Sequence, residues 1–415
     1  MEGRRSRAPA GGPRDPRPAG APGYGERHLS AQQARLDDRA LLAALVAFDT
    51  TSHASNLPLA DFLADYLDRP GVRIERNAAA DGRKTNLIIS AGPEREDRSG
   101  VVLSGHMDVV PALEPDWQSD PFRLTAVDDR LVGRGAADMK GFLALAANRL
   151  AALDPASLRR PVVLLFTYDE EIGTLGARHF TETWPAPERL PREVVIGEPT
   201  ELRVVRAHKG MLRLRLRFAG RAAHSGFPHL GHNAIEPAAR AIVALSALRR
   251  QMEGERAPSS VQFPEVPFAA LNVGTIAGGS AANIVPDRCE VDLGIRLLPG
   301  MTAEYMADRV RDAVAQVTGD EPFQLEIVSL SPPISTPADA PIHRELCAAV
   351  HQSGEESVMF ATDAGWLQGA GFECVLFGPA SIKVAHRANE YMPIAELDRA
   401  GEVLEALVHR RCIAR

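Results

Sequence analysis

The stretch VVLSGHMDVVP, residues 101–111, decides how the rest of the chain is read. Its first three residues form a short apolar run with strong strand preference. The run leads into His106 and Asp108, and a spacing of two along a strand points both side chains to one face. Asp108 then stands where it can brace the His106 imidazole as a supporting partner. Chemistry-bearing residues at the end of a buried strand belong to an α/β sheet, whose sites lie on loops past the strand ends.

The surrounding sequence supports that sheet. Residues 29–68 carry a helical pattern, with Leu41, Leu42, Leu45 and Val46, then Leu59, Phe62, Leu63 and Tyr66, at helical spacing. Further strands are expected at 86–90 and 162–167, and a helix at 141–153 lies between 101–104 and 162–167. Strands interleaved with helices predict a central mixed sheet flanked by helices on both faces. Near His208 the character changes. Residues 211–218 alternate Leu with Arg, the mark of a strand buried on one face. A helix at 234–250, strands at 271–276 and 290–297, a helix at 302–317 and a strand at 324–330 complete the order strand-helix-strand-strand-helix-strand. That is the ferredoxin-like split α+β arrangement. It reads as an insert, which divides the chain into 28–206 and 320–415 for the first domain and 207–319 for the second.

Bulk composition excludes several classes. The chain has 415 residues, long enough for two domains, with 45% hydrophobic and 24% charged residues. A net charge of -7 argues against nucleic-acid or anionic-membrane partners. No apolar run has the length of a membrane span. The four cysteines, Cys289, Cys347, Cys374 and Cys412, form no C-x-x-C pair, so they predict reduced, buried thiols in a cytoplasmic protein. Residues 1–27, rich in Arg, Pro, Gly and Ala, predict a disordered arm.

Four more segments carry acids or histidines. Asp138 sits in GRGAADMKG, Glu170 and Glu171 in FTYDEEIGTLGA, Glu198 in VVIGEPT and His386 in KVAHRANEY. Taken singly, each reads as a cap, a surface charge or a satisfied histidine. Together they place two histidines and several carboxylates at strand ends of one domain. Adjacent acids such as Glu170 and Glu171 repel one another and invite a metal or a proton. Mixed nitrogen and oxygen ligands suit zinc, and one shared carboxylate would make a two-metal site of the kind that activates water. G-x-S-x-G and a Walker phosphate loop are absent, and Gly133-x-Gly135 lacks the third glycine of a dinucleotide loop.

These segments resemble the zinc aminoacylase, acetylornithine deacetylase and carboxypeptidase G family of metallohydrolases, from about residue 37 onward. SGHMDVVP, DWQSDPF, GRGAADMKGF, YDEEIGTLGA, GEPTELRVVRAHKG, GGSAANIVPD and IRLLPG look most like the acetylornithine deacetylase branch. The resemblance implies two divalent ions, zinc or cobalt, with Asp138 shared, His106 and Glu198 at one ion, and Glu171 and His386 at the other. It implies Glu170 as general base with Asp108 in support, and His224 as an oxyanion stabiliser. Asn283, Arg296, Thr362 and Asp363 would face a small-molecule substrate. The insert would act as a lid and homodimer contact. The implied reaction is deacylation of an N-acyl amino acid, acetylornithine above all, as in arginine biosynthesis. Three departures bear on the substrate, one of them Met211 in place of the polar residue usual after Lys209-Gly210. Ala361-Thr362-Asp363-Ala364 replaces the branch's Gly-Thr-Glu-Ala, and Lys383 replaces an acid. They motivate the rival substrates of a succinyl-diamino acid desuccinylase, a dipeptidase or carboxypeptidase, or a deacylase of a specialised metabolite. A metal-bound but inactive binding protein and a purely structural α/β protein are the rivals from other classes.

Overall fold

A computed structural model describes residues 35–414. The arm expected over 1–27, and the first residues of the helical pattern, lie outside the described residues. Within them the expected strand at 101–104 is Val101–His106, in a nine-stranded mixed sheet. It pairs in parallel with Val162–Thr167 on one side and Glu193–Ile196 on the other. The sheet continues through Glu373–Leu376 and Val205–His208 toward one edge, and through Thr85–Ala91 to Val72–Ala78 at the other.

Strand periodicity explains why both faces are covered. Val101 and Leu103 pack with Leu164 and Phe166 into one core, beneath helices Asp38–Val46, Gly141–Ala152 and Ile394–Val408. Val102, one residue out of phase, joins Val163, Leu165 and Ile196 in a second core with Phe180 and Leu367. A strand buried on both faces reads as a near-continuous apolar run, which is what 101–103 and 162–166 show. The expected helical stretch is two helices, Asp38–Val46 and Leu57–Leu67.

Close helix–sheet approach has one sharp requirement. A Cβ added at Gly197, just after Glu193–Ile196, would lie 1.9 Å from Phe142 Cγ on helix Gly141–Ala152. Gly197→Ala is therefore expected to destabilise the protein by about 1–3 kcal/mol, as overpacking does. A lowered urea midpoint at unchanged slope checks this; an unchanged midpoint would mean that Phe142 can move aside.

The second sheet has four antiparallel strands in the spatial order Ala270–Gly278, Arg288–Leu297, Gly210–Ala219, Phe323–Ser331. Helices Ile235–Gly254 and Ala303–Thr318 cover one face, packing on Leu212, Leu214, Leu216, Val291 and Leu293. This is the expected ferredoxin-like order. Its last strand, Phe323–Ser331, lies past the 319 boundary drawn from sequence. Leu325 pairs with Leu216 and Leu330 with Leu212, so the strand completes this sheet and the boundary moves beyond Ser331. No helix among the described residues is long and apolar enough to cross a membrane. All four cysteines are free, and only Cys347 is not fully buried.

Candidate active site

The turn after the glycines presents Asp138. Gly135 adopts φ 77°, in the left-handed region that glycine enters without steric cost, and Val109 leaves no room there for a Cβ. Glu390 fastens the turn: its Oε1 accepts from the backbone N–H of Ala137 at 3.0 Å and of Asp138 at 3.1 Å. Arg134, itself buried, donates to Glu390 Oε2 at 2.8 Å. Asp138 Oδ1 lies 3.0 Å from His106 Nε2, and its Oδ2 lies 3.3 Å from His386 Nε2. His386, at φ 59°, holds a left-handed backbone that costs a non-glycine residue energy. Its Nε2 is 3.0 Å from Glu171 Oε2.

His106 Nδ1 donates to the backbone carbonyl of Asp108 at 2.9 Å, which fixes the ring and turns Nε2 toward Asp138. The Asp108 carboxylate stands 3.6 Å from Nδ1, too far for the brace expected of it. It instead accepts from Glu170 N at 3.0 Å, Glu171 N at 3.3 Å and Ser52 Oγ at 2.7 Å. Asp108 thus fixes the adjacent acids through their backbone.

The result is two groups of donor atoms that share Asp138. His106, Asp138 and Glu198 form one, and Asp138, Glu171 and His386 the other, with all donor atoms in each group within 4.8 Å of one another. The electrostatics follow from the crowding of these acids. Burial pushes Glu198 and Glu170 well above the usual carboxylate range, and neighbouring acids add to it. Burial and the Asp138 charge push Glu171 up to about 7. Burial opposes ionisation of Asp138 too, but the hydrogen bonds and charges of His106 and His386 outweigh it and hold its carboxyl low. Hydrogen bonds to Asp138 and Glu171 raise His386 to about 10. Crowded carboxylates that keep protons are the arrangement a cation resolves, and nitrogen–oxygen donors suit two divalent ions.

A cavity of about 400 Å³ opens over the cluster. Both sheets line it: Asp138, Glu170, Glu171, Glu198 and His386 from the first, and Met211, Arg213, Arg296 and Ser329 from the second. Arg296 thus lines the cavity. Other expected substrate residues do not. Thr362 and Asp363 are buried, Thr362 Oγ1 hydrogen-bonded to His208 at 3.1 Å and Asp363 to Thr167, and their neighbours Phe360 and Ala361 line the cavity instead. His224 and Asn283 meet at one end of the four-stranded sheet, where Ser225 N donates to Asn283 O at 2.9 Å. Neither lines the cavity. Lys383 is 83% exposed and faces Glu201 at 4.0 Å, while Ile382 turns inward. Arg213 was not anticipated, although the Leu–Arg alternation of its strand placed it on the face opposite the core.

Comparison with known proteins agrees with this geometry. The model of the Peptidase family M20/M25/M40 matches residues 102–410. Acetylornithine deacetylase of Myxococcus xanthus is 36% identical over 385 residues, covering 90% of this chain and 97% of that protein. An M20 family metallo-carboxypeptidase from Sulfolobus solfataricus superposes with a TM-score of 0.72 at 18% identity, over 90% of this chain and 99% of that one. A dinuclear metal-binding peptidase of the M20 family from Bacillus subtilis has a TM-score of 0.61 at 15% identity, over 89% of this chain and 97% of that one, a likeness of fold. The chain belongs to peptidase family M20/M25/M40 and is a metallohydrolase of that family.

Proposed function

We propose that the protein hydrolyses the amide bond of an N-acyl amino acid, as a deacylase of the acetylornithine deacetylase kind, with two zinc ions. The observation that carries this reading is the pair of donor groups sharing Asp138, with Glu170 beside them in the same cavity but in neither group. His106, Asp138 and Glu198 would hold one ion, and Asp138, Glu171 and His386 the other. When bound, the ions supply Lewis acidity toward the acyl carbonyl and toward water.

The chain's own groups do the rest. Glu170 takes a proton from the attacking water on its carboxylate and returns it to the departing amine nitrogen. Asp108 keeps Glu170 and Glu171 in register through their amides. Arg296, in the second sheet, holds the substrate's carboxylate with its guanidinium fork. The four-stranded unit serves as lid and as the contact of a homodimer. His224 lies outside its own chain's cavity, so movement of this unit or a second copy must deliver it to the developing oxyanion. The setting is cytoplasmic, where free thiols persist.

Release of amine from N-acetyl amino acids, N-acetylornithine among them, is the test. Dialysis against a chelator is expected to abolish release, and about two equivalents of zinc to restore it. Full activity of the metal-free protein would overturn the reading.

A further inference from the structure

The outward face of strand Gly210–Ala219 carries three arginines in alternation, Arg213, Arg215 and Arg217. Arg217 Nε donates to Glu290 at 3.0 Å, and Arg215 Nε to Asp292 at 2.6 Å. Each acid stands directly opposite its arginine on strand Arg288–Leu297. One rung nearer the cavity the pattern stops. Arg213 has Gly294 opposite it on one side and Ser329 on the other. The next rung sets Met211 against Arg296. Among the described residues neither Arg213 nor Arg296 has a carboxylate within 4.0 Å, although Asp292 feels the Arg213 charge. Both line the cavity over the acid cluster.

Arg213 and Arg296 are diagonal neighbours on adjacent strands and line one cavity, so each can meet an anion placed there. One guanidinium fork serves one carboxylate. The cavity offers no acid outside the ion-binding cluster and Glu170 to receive a substrate ammonium, and Glu201 does not line it. The geometry points to Arg213 as a specificity-determining residue that recognises a second carboxylate, making the substrate an N-acyl amino acid with two carboxylates instead of one with a second amine. This rests on the deacylase reading. The second carboxylate belongs to the amino-acid side chain or to the acyl group, and the two sources are separable.

The experiment compares N-acetylglutamate with N-acetylglutamine, and N-succinylnorvaline with N-butyrylnorvaline, on zinc-loaded protein. The dicarboxylate of one pair is expected to exceed its neutral partner about 10- to 100-fold in kcat/KM, chiefly through KM. The first pair locates the second carboxylate on the side chain, the second pair on the acyl group. Arg213→Gln is expected to collapse that ratio to within about 3-fold. Arg213→Glu is expected to invert it and to favour N-acetylornithine. No preference in either pair, or a preference that survives Arg213→Gln, overturns the assignment. An equal loss on both members of a pair also overturns it, because that marks a structural role. If no N-acyl amino acid is hydrolysed, the deacylase reading fails. Calorimetric binding of N-acetylglutamate against N-acetylglutamine, and of N-succinylnorvaline against N-butyrylnorvaline, in wild type and Arg213→Gln, then decides Arg213 on its own.

Discussion

Glu170→Gln is expected to lower kcat by about 10²–10⁴-fold while two ions remain bound. Glu170 lines the cavity and belongs to neither donor group, so its amide removes a proton carrier without removing a ligand. Its backbone N–H is held by Asp108 at 3.0 Å, so the substituted side chain keeps the same origin. Glutamine matches its shape and cannot accept the proton of an attacking water. The loss should therefore fall on kcat, with KM and metal content little changed. Turnover within about 10-fold of wild type, at full metal occupancy, would sink the proton-shuttle assignment.

Asp138→Ala is expected to lower metal content from about two ions per chain to below one, and to abolish measurable amine release. Its two oxygens face the two histidines separately, Oδ1 to His106 and Oδ2 to His386. Loss of a supporting partner alone costs about 10–100-fold in metal affinity, and loss of a shared ligand weakens both ions more than that. Glu198→Ala and Glu171→Ala are the controls, because each belongs to one group only. Each is expected to lose one ion and retain the other. Metal analysis after gel filtration separates these outcomes, and an Asp138→Ala protein that retains two ions would refute the shared-ligand assignment.

Strand ends were legible in the sequence because the chemistry there is written in the same residues as the fold. The apolar runs that build the sheet stop where His106, Glu170 and Glu198 begin. The four-stranded insert was legible through its Leu–Arg alternation, whose period of two fixes which residues face the helices. Strand Val72–Ala78 escaped notice, since VRIERNA is half polar and lies at the sheet edge, where one side needs no apolar partner. Thr362 and Asp363 were misplaced by one residue: Ala361 faces the cavity and Thr362 turns to His208. Side-chain direction on a turn carries no sequence period, so position in the chain could not distinguish them. Lys383 is misleading for the same reason. Its charge looks decisive beside His386 but points to Glu201. The unpaired state of Arg213 depends on Gly294 and Ser329, which register alone brings opposite it.

The hydrogen bond from the Asp138 amide to Glu390 spans 252 residues of chain. A growing polypeptide therefore exposes the turn long before its anchor is made, and its amides must be satisfied by water until the last strand arrives. Closing contacts of such sequence separation is slow. Chains released before His386 would carry four of the five expected ligands and lack both His386 and the clasp that orients Asp138. The ligand His386 and the clasp Glu390 therefore arrive together, 248 and 252 residues after Asp138.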